Sequence, residues 1–245
     1  WTVGGKVRGA RVLLGTLWLA RGAATDHVDA LLPALYAAAD DDDGSVRAQV
    51  SACARLAGSA VEPDTLMRRA VRDCATSDAG STAHRAACLH TLSQLLRGMS
   101  GTAVGEHVPA LAATLCQPQF CAAPASAAED AGAAHTRMQL RLVAVVEALV
   151  GAAGPACAGE PQAYELYCAL VQLSAVPTSA GDEYVSQRRA AAALGEALAP
   201  ACGARDAREM HARFGGRLVD QLVAGEPIGG KAAVAAAAAA AARSD

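Results

Sequence analysis

Aromatic residues are scarce in this chain of 245 residues, at only 3% of the sequence. Strands are usually rich in aromatic and β-branched residues that alternate with polar ones, and this sequence has neither the content nor the alternation for a substantial sheet. Alanine dominates the apolar residues instead, and alanine has the highest intrinsic helix propensity of all residues. The sequence therefore predicts an all-α fold.

The chain also has no excess of basic residues. It contains 21 lysines and arginines and 24 acidic residues, so its formal net charge is −3. A protein that binds nucleic acid typically has a basic stripe or a high isoelectric point. A helix that spans a bilayer needs about 20 consecutive apolar residues, and no run approaches that length. We therefore expect neither nucleic acid nor a membrane as a partner. The chain begins at Trp1 rather than at methionine, and we interpret it as a fragment.

The eight cysteines include no pair with C-x-x-C spacing. Disulfide frameworks are typical of short, loop-rich secreted chains, whereas most of these cysteines fall on the apolar faces of predicted helices. We therefore expect reduced, buried thiols in a cytoplasmic protein.

Signatures of catalysis and of metal binding are absent as well. No Ser/His/Asp ordering, phosphate-binding loop or dinucleotide-binding glycine pattern occurs. The run Asp40–Asp43 lacks the alternating ligands and the distal glutamate of an EF-hand loop, which favours a solvated turn. His84 and His90 do not share a helix face, and no second pair of ligands accompanies them. We expect a non-enzymatic protein without catalytic residues, cofactor or metal.

A helix-forming pattern recurs about every 39 residues. Val7-Arg8 and Val46-Arg47 each open a helix, and Pro33 and Pro109 lie 76 residues apart in similar Leu/Val-containing segments. A period near 40 that consists of paired helices indicates a solenoid. A proline-bent first helix, an aspartate turn and a Val-Arg start to the second helix resemble the HEAT-repeat consensus. We therefore predict an α-solenoid of antiparallel HEAT-type helix pairs.

The pattern divides the chain into four parts. HEAT repeats are predicted over 1–116, starting in the second helix of a repeat, and an expanded loop over 117–134. Less regular HEAT-like pairs are predicted over 135–224, followed by an alanine-rich, low-complexity tail at 225–245. The helix predicted at about 135–152 has an inward stripe of four residues, which are Met138, Leu142, Val145 and Leu149.

Three arginines occupy similar positions near the starts of second helices, namely Arg8, Arg47 and Arg85. A planar guanidinium pairs well with carboxylate, so these arginines are predicted to form an inter-helix ladder with turn carboxylates such as Asp41 and Asp43. The alternative is that they form a basic line that binds an acidic partner.

The order of several local features resembles the HEAT-repeat family of axonemal dynein assembly factors, over roughly the first half of the chain. The similar segments are Trp1–Arg8, Asp26–Val28 with Leu31-Leu32, Val61–Thr65, Leu96–Gly98 and Gln117–Cys121. This resemblance implies a cytoplasmic scaffold that preassembles dynein arms for ciliary motility. Its implied partners are axonemal dynein heavy and intermediate chains and chaperones, and the family has no catalytic residues to transfer.

Other HEAT proteins remain as alternatives. The same architecture serves phosphatase scaffolds, transport receptors and tubulin-binding arrays. A HEAT-like chromophore lyase is a further alternative, and it would require a reactive cysteine or an acidic pair that faces a pocket.

Overall fold

The computed structural model describes residues 2–75, 82–121, 129–174 and 183–226. Within these ranges the chain is helical and contains no strand, as predicted. Two short 3₁₀ segments, Arg21–His27 and Gly154–Ala158, join α-helices. The α-helices are α1 (Val3–Ala20), α2 (Val28–Ala39), α3 (Gly44–Ala60), α4 (Pro63–Ala75), α5 (Thr82–Gly98), α6 (Gly101–Leu115), α7 (Pro118–Cys121), α8 (Glu129–Ala153), α9 (Gln162–Ser174), α10 (Glu183–Ala201) and α11 (Ala207–Val223).

The helices stack in two rows. Helices α2, α4, α6, α9 and α11 contact one another in that order, and we call them the first-helix row. Helices α1, α3, α5, α8 and α10 do the same, and we call them the second-helix row. The first helices α2, α4, α6 and α9 each also pack on the second helix that follows, as in the pair α2 and α3. This is the predicted HEAT-type solenoid, in which each pair buries its apolar face against its neighbours.

Local sequence signals explain features of the first two helix pairs and of α6. The side chain of Asp43 accepts hydrogen bonds from the backbone N–H groups of Ser45 and Val46, so it caps the free amides at the start of α3. Pro33 and Pro109 lie inside α2 and α6, which are the equivalent first helices of two pairs. The prediction that these prolines lie within the first helix of a repeat is confirmed, and the predicted bend at each proline stays a prediction.

The prediction of an expanded loop at 117–134 is wrong for two parts of that segment. Residues Pro118–Cys121 form the short helix α7, and α8 begins at Glu129. Alanine-rich sequence gives no apolar periodicity, yet its helix propensity is high enough to extend α8 towards the N-terminus. Residues 122–128 and the tail from 227 lie outside the described residues, so these parts of the prediction stay untested.

Helix α8 lies between α5 and α10 in the second-helix row. Its predicted inward stripe is confirmed, because Met138, Leu142, Val145 and Leu149 are each at most 1% exposed. The segment Ala134–Ala158 is 25 residues long and includes an 18-residue window with a mean hydropathy of 1.6, so by length and composition it could cross a membrane, which corrects the expectation that no such segment exists. A buried core helix meets the same criterion of length and composition. Packing against α5, α6 and α10 accounts for the apolar character of α8.

Two glycines bring α3 and α5 into backbone contact. A Cβ atom built on Gly58 would lie 2.2 Å from the carbonyl oxygen of Leu95, and one on Gly98 would lie 1.9 Å from the carbonyl oxygen of Arg55. Neither distance is compatible with a real side chain. The glycines therefore set the spacing of these two helices.

Replacement of Gly98 by alanine tests this close contact. We expect Gly98→Ala to lower the free energy of unfolding by about 3 kcal/mol or more, because the added methyl group must push α3 and α5 apart. The matched control is Gly151→Ala in α8, where nothing lies within 4 Å of the added Cβ. The control should leave stability unchanged or raise it by up to about 1 kcal/mol. Urea unfolding followed by circular dichroism measures both, and equal stability of the two variants would contradict the role of Gly98.

Candidate partner-binding surface

The turn between α2 and α3 holds the aspartates of the predicted ladder, but other groups engage their carboxylates. Lys6 of α1 donates to the Asp41 carboxylate at 2.6 Å, and Asp43 caps α3. This hydrogen bond raises the pKa of Lys6 and lowers the pKa of Asp41. Thus an ion pair does link α1 to the α2–α3 turn, with a lysine as its basic member.

The three ladder arginines have different environments. Arg47 donates from Nη1 to the backbone carbonyl oxygens of Asp41 at 2.6 Å and Asp42 at 2.9 Å. Its side chain therefore binds the main chain of the turn and not the aspartate carboxylates. Arg8 is exposed and forms no ion pair within the described ranges. Arg85 is half-buried on α5. A continuous arginine ladder through all three repeats stays a prediction.

Stability measurements separate these environments. We expect Arg47→Ala to lower the melting temperature, because its loss removes two hydrogen bonds to the turn, worth about 1 kcal/mol in total. Arg8→Ala is the control and should leave the melting temperature unchanged. Equal losses in the two variants would instead support the ladder, and no loss in either would show that Arg47 does not stabilise the turn.

Polar side chains link α3 to α5 on the second-helix row. The Ser51 hydroxyl lies 2.9 Å from Nε2 of His90, and Nε of Arg55 donates to Oε1 of Gln94 at 2.7 Å. The partners of each pair are 39 residues apart, which is the period of the sequence pattern. Sequence analysis missed both pairs, although a search for polar residues one period apart would have found them.

A long-range ion pair extends these links to α8. Arg141 of α8 contacts the carboxylate of Asp40, at the turn after α2, so it connects segments 101 residues apart in the chain. His90 lies on α5, between α3 and α8 in the row, and burial together with the nearby Arg141 lowers its pKa. Sequence analysis missed this pair, because nothing local relates α8 to a turn two repeats earlier.

The first-helix row has its own polar network. Arg69 of α4 pairs with Asp73 one turn later and with Asp29 of α2. The Tyr36 hydroxyl donates to the Asp73 carboxylate at 3.2 Å. Acidic and basic groups therefore neutralise each other on this row.

An aromatic cluster joins α9 and α11. Tyr164 and Tyr167 pack on Phe214, and Arg217 lies over the Tyr164 ring at 3.9 Å. Glu160 forms ion pairs with Arg217 at 3.2 Å and with Arg213 at 3.5 Å. The cluster supplies the contact between the last helices of the first-helix row.

The buried thiols do not have the character of nucleophiles. The seven cysteines whose side chains are described are all buried, as predicted. Burial raises the pKa of Cys53, Cys157 and Cys168 to about 11 and that of Cys202 to about 12. These thiols stay protonated near neutral pH, whereas a reactive cysteine needs a lowered pKa.

The residues considered for metal binding have other partners. Nε2 of His84 lies 3.5 Å from the Cys88 sulfur and its ring packs edge-on against Tyr36, whereas His90 contacts Ser51. In the described part of the chain, no three His, Cys, Asp or Glu side chains gather as a metal site would require.

Glu165 of α9 is a buried carboxyl group with a raised pKa of about 7, because burial disfavours its charged form while Arg217 partly opposes the shift. Since the folded-state pKa lies above the unfolded value near 4.5, its favourable contribution is complete below pH 4.5 and is lost as the pH rises through 7. Glu165→Gln should be close to the wild type in stability at pH 3.5 and, relative to that difference, gain about 1–3 kcal/mol at pH 8. Urea unfolding at the two pH values measures this, and a pH-independent difference would contradict it.

Comparison with known proteins identifies related sequences. The family described as dynein axonemal assembly factor 5, HEAT-repeat domain, matches residues 1–177. Human dynein axonemal assembly factor 5 is 28% identical over 123 residues, which cover 50% of this chain and 14% of the human protein. No solved structure matches the chain.

Proposed function

Because the chain belongs to the HEAT-repeat domain family of dynein axonemal assembly factor 5, we propose that it is a non-enzymatic scaffold for the cytoplasmic preassembly of axonemal dynein arms. Its partners in this role are dynein heavy and intermediate chains together with chaperones. The match over residues 1–177, which covers most of the chain, is the observation that supports the proposal.

The architecture is suited to a scaffold. Stacked helix pairs expose long, continuous rows of side chains, and such surfaces hold partners much larger than a small molecule. Side-chain contacts join α1 and α8 to the α2–α3 turn and join α3 to α5, so the second-helix row presents an ordered surface. A rigid surface loses little conformational entropy when a partner binds to it.

Affinity capture from an extract of ciliated cells tests the proposal. The tagged chain should retain dynein heavy and intermediate chains with chaperones, identified by mass spectrometry, whereas an unrelated HEAT-repeat protein on the same support should not. Recovery of tubulin, phosphatase subunits or nuclear transport factors without dynein chains would contradict the assembly role and favour another HEAT adaptor.

A thiol-reactivity profile tests the absence of catalysis by cysteine. We expect the described cysteines to react slowly and to a similar extent in the folded protein, because burial raises their pKa values. Unfolding in urea should make all of them react. One cysteine that reacts far faster than the others in the folded chain would support a lyase-like enzyme instead.

A further inference from the structure

Charge is segregated between the two rows in the first part of the chain. Helices α1, α3 and α5 contain no aspartate or glutamate. The acidic residues between α1 and α5 in the described ranges lie on first helices or in connecting segments, at 26, 29, 40–43, 62, 64 and 73. These three second helices contain seven basic residues, which are Lys6, Arg8, Arg11, Arg47, Arg55, Arg85 and Arg97.

The carboxylates of the α2–α3 turn do not neutralise this basic surface, and the acidic group beside it is Glu147 of α8, which lines a cavity together with Arg97 and forms no ion pair within the described ranges. At the α2–α3 turn, Asp40 pairs with Arg141, Asp41 pairs with Lys6, and Asp43 accepts the capping hydrogen bonds of α3. These carboxylates are therefore already engaged.

Exposed guanidinium groups remain along the row. Arg8, Arg11 and Arg97 form no ion pair within the described ranges. The hydrogen bond of Arg55 goes to the amide of Gln94, which is neutral. The positive charge of these groups is therefore exposed to solvent and can interact with a partner.

The exposed arginines lie on the side of the row that faces away from the core. In α3 the buried stripe consists of Val46, Val50, Cys53 and Ala57, and Arg55 is exposed on the opposite side. Packed helices lie about 8–10 Å apart, so α1, α3 and α5 together span about 20 Å. An extended peptide rises about 3.3 Å per residue, so a segment of about six to eight residues would cross all three helices.

We propose that this surface, defined by Arg8, Arg11, Arg55 and Arg97, binds an acidic segment of a protein partner. The proposal deepens the scaffold function and rests on it for the identity of the partner as a protein. The acidic turns at one end of the row and the net charge of −3 disfavour a long polyanion such as nucleic acid, because such a chain would extend beyond the basic surface. A short acidic segment matches both the charge and the length of the surface.

Fluorescence anisotropy with a defined probe tests the proposal. The probe is a labelled ten-residue peptide of alternating glutamate and serine. Two double variants are compared with the wild type. The first combines Arg11→Glu with Arg97→Glu on the basic surface. The second, a control, combines Arg205→Glu with Arg208→Glu near the start of α11. Both change the net charge equally, and circular dichroism verifies that both are folded.

We expect the wild type to bind the peptide with an affinity that falls as salt is added. The Arg11/Arg97 variant should bind about tenfold more weakly or worse, and the Arg205/Arg208 control should stay within about twofold of the wild type. Failure of the wild type to bind, or equal weakening in both variants, would overturn the proposal. Tighter binding of a single-stranded oligonucleotide of equal charge would overturn it in favour of a nucleic-acid surface.

The result is distinguishable from failure of the assembly role. If affinity capture recovers dynein chains but charge reversal leaves peptide binding unchanged, only the acidic-segment proposal fails. If peptide binding behaves as expected but dynein chains are not recovered, the basic surface is retained and the assembly role fails.

Discussion

Backbone contact between α3 and α5, permitted by Gly58 and Gly98, sets the geometry on which the second-helix row depends. The short spacing places Ser51 beside His90 and Arg55 beside Gln94, so that side chains one repeat apart meet directly. It also leaves α5 buried over most of its surface, between α3 and α8. A side chain larger than hydrogen at either glycine would separate the helices and loosen all of these contacts together.

The stacking has an electrostatic consequence. The second helices α1, α3 and α5 of successive repeats lie side by side, so their basic residues accumulate on one surface, while the acidic residues of this part of the chain lie in the turns and on the first helices. The turn carboxylates of Asp40 and Asp41 hold neighbouring segments through Arg141 and Lys6. The same structure therefore contains ion pairs that connect repeats and exposed arginines that are available to a partner.

Much of the fold followed from local pattern. The HEAT order, the helices that contain Pro33 and Pro109, and the buried stripe of α8 depend on periodicity within a few turns, which a sequence displays directly. The segment at 117–134 was predicted less well, because small residues give no periodicity while alanine still favours helix. The basic surface was also only partly predicted, since Arg8 was identified, whereas Arg11, Arg55 and Arg97 were missed.

The sequence by itself determined the all-α class, the repeat of about 39 residues and the absence of acidic residues from three second helices, because these are properties of composition and spacing along the chain. The tertiary structure decided which carboxylate each basic group contacts. Asp41 binds Lys6 from one repeat earlier, and Asp40 binds Arg141 from a helix 101 residues away. Such pairs depend on how the helices stack, to which the close α3–α5 spacing at Gly58 and Gly98 contributes, rather than on any signal near the charged residues themselves.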